Sequence, residues 1–83
     1  MSFEYKIQEK IGILSKRYTG ETLELNIIQY GDYDAKYDLR RWESGIMHKG
    51  ITLNENELKK LRDLINNHLN NKNKSEILEE FVD

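Results

Sequence analysis

The chain has 83 residues, no Cys and no Pro, with 37% hydrophobic residues, 34% charged residues and a formal net charge of -2. That length supports one small core, and the missing thiols exclude a disulfide framework, a thiolate metal site and a cysteine nucleophile. No apolar run approaches the ~20 residues of a membrane span.

The charge is unevenly spread. Residues 75–83 hold Glu76, Glu79, Glu80 and Asp83 without Lys or Arg and carry -4, which leaves 13 basic and 11 acidic residues, or +2, in residues 1–74. A mildly basic body with an acidic appendage is the pattern of a chain with a basic working surface. The opening MSFEYKIQEK alternates like a folded strand and holds no apolar leader, so a cytoplasmic location is expected. His48 and His68 are the two histidines and stand far apart, so neither a zinc site nor any other cofactor is expected.

Residues 5–15 (YKIQEKIGILS) alternate, with Ile7, Ile11 and Ile13 on one parity and Lys6, Gln8, Lys10 and Lys16 on the other, which predicts a half-buried strand. After a turn at Tyr18, Thr19 and Gly20, residues 21–30 (ETLELNIIQY) predict a second strand. Leu23, Leu25 and Ile27 fall on one face, and Asn26, Ile28 and Tyr30 on the other. Gly31, Asp32, Tyr33 and Asp34 are turn residues. Residues 35–43 (AKYDLRRWE) predict a third strand separating Tyr37, Leu39 and Arg41 from Lys36, Asp38, Arg40 and Trp42. Ser44-Gly45 turns the chain into a fourth strand over residues 47–53.

At Leu53 the period changes. Asn54 is the expected N-cap, Glu57 stands at the third helical position, and Leu53 faces Leu58 as a hydrophobic staple. Leu58, Leu61, Ile65 and Leu69, with Leu64 beside them, predict a helix to about residue 68 or 70 with its apolar stripe on the sheet. The expected fold is therefore α+β, a four-stranded antiparallel sheet followed by one helix (β-β-β-β-α). Residues 1–70 form the domain, and residues 71–83 a polar linker and acidic tail. A sheet covered on one face by one helix leaves much apolar surface open, so a homodimer is expected.

The informative stretch is residues 30–42. Tyr30, Tyr33, Tyr37 and Trp42 are four of the eight aromatics, interleaved with Lys36, Arg40 and Arg41. Aromatic faces stack on bases and cations meet phosphates, which is what a single-stranded nucleic-acid platform needs. The plainer reading is that Tyr and Trp are ordinary strand residues. Parity puts Trp42 with Lys36 and Arg40, and Tyr30 opposite Leu23, Leu25 and Ile27, so both rings are expected to project, exposed, from the uncovered face.

KYDLRRW (residues 36–42) followed by HKGITLNENEL (residues 48–58) and a helix resembles the positive-cofactor-four family of single-stranded DNA-binding coactivators, most closely its bacterial YdbC-like branch. The resemblance spans about residues 5–69 and omits the acidic tail. It implies a dimeric β-β-β-β-α protein that binds single-stranded DNA without strong sequence preference and without catalysis. Carried over position by position, Tyr30 matches the family's stacking aromatic at the end of the second strand, Trp42 the aromatic closing the third, Arg40 its Asp-Leu-Arg step, Lys49 the lysine of KGITL, and Lys36 the lysine opening KYD. Lys16 and Arg17 in the first turn are added as phosphate contacts, because GETLE and GDYDA stand where the family tends to be basic. Parity would bury Lys49 with Ile51 and Leu53 unless a bulge at Gly50 intervenes.

The expected function is thus a sequence-tolerant single-stranded DNA-binding protein of bacterial or phage origin, serving transcription, replication or repair, with RNA left open as a second ligand. The alternative is a protein-interaction or regulatory dimer in which the aromatic face and the acidic tail bind protein partners. No nucleophile, base and orienting set is spelled by spacing, so neither catalysis nor a small-molecule substrate is expected. Lys59, Lys60 and Arg62 are offset by Glu55, Glu57 and Asp63, which speaks against major-groove reading by the helix.

Overall fold

The computed structural model describes residues 4–82, and the side chains of residues 4–72. Strands β1 (Tyr5–Lys16), β2 (Thr22–Tyr30), β3 (Lys36–Glu43) and β4 (Ile46–Leu53) precede helix α1 (Glu55–Val82). The strands pair antiparallel in the order β1-β2-β3-β4, which is the β-β-β-β-α architecture that the patterning predicts.

Local chemistry explains the joints. Ser44 and Gly45 both take positive φ, 48° and 77°, and Glu43 pairs with Ile46. This is a two-residue turn whose handedness follows the twist of the strands. At the start of α1 the Glu57 amide donates to Asn54 Oδ1 at 2.8 Å, and the Asn54 amide donates to Glu57 Oε1 at 2.9 Å. The predicted capping box is formed.

Three strand irregularities matter more than the regular pairing. β1 shifts register against β2 at Ile7/Glu9, Lys10/Gly12 and Ile13/Ser15, so its simple alternation fails. Ile7, Lys10 and Lys16, expected on opposite faces, line one groove together. Each bulge adds a residue and reverses the parity of those after it. β4 carries one further bulge, between Met47 and Gly50 opposite Arg40 and Trp42. Lys49 lies within it and is exposed, but so is Ile51, at 54%, so the burial expected for this parity of β4 is not found at Ile51.

Bulges raise twist, and the sheet coils strongly. Tyr5 pairs with Tyr30 at one end of β2 and Trp42 with Thr22 at the other, about 26 Å apart on a flat strand. Yet the Tyr5 and Trp42 rings lie 6.1 Å apart. The best-buried side chains, Ile28, Asp38, Asn26 and Trp42, all lie on this inner face, away from the helix.

The helix face is more open than its apolar pattern suggests. Among the described residues α1 approaches β3 and β4 but not β1 or β2. Leu14, Leu25, Leu39, Leu53, Leu58, Leu61 and Ile65 border a groove of 460 Å³ between sheet and helix. The helix also runs past the expected end near residue 70, through the segment read as a linker, to Val82. Residues 55–82 include neither Gly nor Pro. Their clustered Asn residues each cost up to ~0.7 kcal/mol of helix propensity without breaking the helix. The side chains of the acidic tail, on which its partner-docking reading rests, lie outside the described side chains. Among the described residues no helix is long and apolar enough to cross a membrane.

At Gly50 β4 lies against β3 with no room for a side chain. A Cβ there would meet the Arg40 Cβ and the Leu39 carbonyl far inside contact distance. Gly50→Ala is therefore expected to cost about 1–3 kcal/mol, because strand backbone must move to admit one methyl. A urea titration monitored by Trp fluorescence checks this.

Candidate nucleic-acid interface

The inner face gathers most of the predicted residues. Tyr30 ends β2, and Lys36, Asp38, Arg40 and Trp42 occupy alternate positions of β3, paired with Ile28, Asn26, Glu24 and Thr22. Paired residues share a face in an antiparallel ladder. Tyr30, Lys36, Arg40 and Trp42 therefore stand on one surface, with Lys36 exposed at its end.

Asp38 organises the centre of this surface. Its carboxylate, 0% exposed, accepts Arg40 Nε at 2.5 Å and Arg40 Nη2 at 2.6 Å, and accepts the Tyr30 hydroxyl at 2.7 Å. Arg40 also donates Nη1 to the His48 carbonyl at 3.0 Å, a carbonyl placed there by the β4 bulge. The guanidinium carbon lies 5.9 Å from the Tyr30 ring centroid. Burial, and then the hydrogen bond to Asp38, push the Tyr30 phenol well above the usual tyrosine range. The same carboxylate raises Arg40. Arg40 thus spends much of its hydrogen-bonding capacity inside the protein and holds Tyr30 in place with Asp38, a role the sequence did not suggest.

Trp42 departs from expectation. It lies on the expected face but is 6% exposed, against the prediction of a projecting ring. The cause is the coiling of β1, which lays Tyr5 against it. Tyr5 also packs against Tyr30, with centroids 6.3 Å apart. Tyr5, 39% exposed, is the ring of this trio that faces solvent most openly. Aromatic pairs at these separations add about 0.5–1.5 kcal/mol beyond burial. Buried Trp42 keeps its indole N–H without a hydrogen-bond partner among the described residues.

A groove of 400 Å³ runs beside the rings, lined by Tyr5, Ile7, Lys10 and Lys16 from β1, Thr22 and Glu24 from β2, Trp42 from β3, and the turns at Gly20 and Ser44-Gly45. Lys16 lines this groove with Lys10. Arg17 is turned toward Glu21, with Nη1 to Oε2 at 3.5 Å, and Lys49 is exposed on the β4 bulge outside this groove. Tyr5 and Lys10 were missed by sequence reading. The one available signal was Gly12, since an interior strand glycine often marks a bulge that re-aims its neighbours.

No family model matches the chain. Over 66 residues it is 39% identical to an uncharacterized protein of Treponema pallidum (strain Nichols), a match covering 77% of this chain and 78% of that protein. Identity at this level over most of both chains means that this protein belongs to the same family as the Treponema pallidum protein.

Proposed function

We propose that the protein is a non-catalytic, homodimeric single-stranded DNA-binding protein of the positive-cofactor-four type, cytoplasmic, acting on DNA in transcription, replication or repair. The observation that carries this reading is the convergence of Tyr5, Tyr30 and Trp42 with Lys10, Lys16 and Lys36 on the inner face of one coiled sheet. Stacking accepts any base, and the lysines meet phosphates without reading sequence. The resemblance of KYDLRRW and HKGITLNENEL to that family supports the same assignment.

Dimerisation is supported by shape. The radius of gyration is 17.1 Å, against about 12 Å for a compact domain of this length. The accessible surface is 7154 Å², against about 5,200 Å² for a globular monomer of this size. Leu64, Ile65, Leu69 and Ile51 are each about half exposed, and a second copy would cover them.

Titrating the Trp42 fluorescence with oligo-dT and with a duplex of equal length tests the assignment. Quenching by oligo-dT that weakens with salt, with a logarithmic slope near -3 for about four neutralised phosphates at roughly -0.7 each, is the expected result. Absence of binding, by fluorescence and by labelled-oligonucleotide anisotropy alike, would leave the aromatic face and acidic tail to a protein partner.

A further inference from the structure

The groove on the inner face has more chemistry than the predicted residues supply. Its outer wall is β1, an edge strand whose three bulges bring Tyr5, Lys10 and Lys16 to one side. Its inner wall is Trp42, more than nine-tenths buried, with an indole N–H that has no acceptor among the described residues. Its volume of 400 Å³ lies in the range of small-ligand sites.

From this arrangement we infer that β1 forms a one-nucleotide subsite, in which the Tyr5 ring stacks an unpaired base and Lys10 and Lys16 hold its flanking phosphates. The inference rests on the single-stranded DNA reading and reassigns its parts. Arg40, pinned by Asp38 and the His48 carbonyl, positions Tyr30 instead of clamping a phosphate. Trp42 backs the stacking ring instead of being the platform. Glu24 shares the groove and already accepts from Thr22 Oγ1 at 2.5 Å and Asn26 Nδ2 at 3.5 Å. Its negative charge repels phosphate and confines the backbone to the lysine side.

Lys10 and Lys16 are exposed, and neither forms an ion pair among the described residues, so their substitution leaves the fold intact. Anisotropy of a labelled oligo-dT is measured against salt for the full chain and for Lys10→Gln, Lys16→Gln and the double variant, with Lys59→Gln on the helix as control. Each groove variant is expected to make the logarithmic salt slope shallower by about 0.7, and the double variant by about 1.4, while the control keeps the wild-type slope. Tyr5→Ala is expected to weaken binding roughly 5- to 150-fold, and Tyr5→Phe, which keeps the ring, to retain it. If the wild-type chain binds but the groove lysines leave the slope unchanged, the subsite is overturned while the single-stranded DNA reading stands. If the wild-type chain binds no oligo-dT, that reading fails and the subsite with it.

Discussion

Asp38→Ala is expected to lower stability by about 3–5 kcal/mol, the usual result of removing one partner from a buried ion pair. The carboxylate is fully buried, and the Arg40 side chain it neutralises is 14% exposed. Truncation leaves a guanidinium with little water and no counter-charge, and a Tyr30 hydroxyl without its acceptor. Small domains have about 5–15 kcal/mol in total, so the variant should be close to unfolded at room temperature. Urea midpoints measure the loss. Asp38→Leu combined with Arg40→Met, which removes both charges, should recover much of it. A double variant as unstable as Asp38→Ala would show that the loss comes from the Tyr30 hydroxyl left without its acceptor and not from the unpaired guanidinium.

The same network sets a pH dependence. The Tyr30 phenol is raised above its ordinary value, first by burial and then by Asp38, so the folded state holds this proton more tightly than the unfolded chain. Its contribution is complete below the ordinary tyrosine value of 10.0 and is lost progressively as pH rises above it. Tyr30→Phe should flatten that alkaline decline.

Ile65→Asp is expected to turn the proposed dimer into a monomer. Ile65 borders the apolar groove and is 46% exposed in the single chain, on the helix that leaves the sheet at about 1.5 Å per residue. Burying an unpaired carboxylate in an interface costs several kcal/mol, which weakens association roughly 10²- to 10³-fold or more. Sedimentation velocity reads the change directly. A wild-type chain that sediments as a monomer at micromolar concentration would remove the dimer itself.

Local patterning was enough to read the element order. The period-2 runs, the Ser44-Gly45 turn and the Asn54/Glu57 capping box each depend on residues close in sequence, and each is present in the fold. The grouping of Tyr30, Lys36, Arg40 and Trp42 on one face was legible for the same reason, because β3 is regular against β2 and alternation holds along it. Where the helix ends was not legible, since polar residues mimic a linker without containing a breaker.

The interior of the site was decided only in three dimensions. Bulges in β1 depend on how each strand meets its neighbour, and each one reverses the parity on which face assignment rests. Coiling then set the rest. It carried Tyr5 to Trp42, buried the indole expected to be exposed, and enclosed Asp38 between Arg40 and Tyr30. The chain's pattern assigned residues to a surface, and the twist of the sheet determined which of them solvent could reach. Twist is a cooperative property of all four strands, so no window of neighbouring residues encodes it.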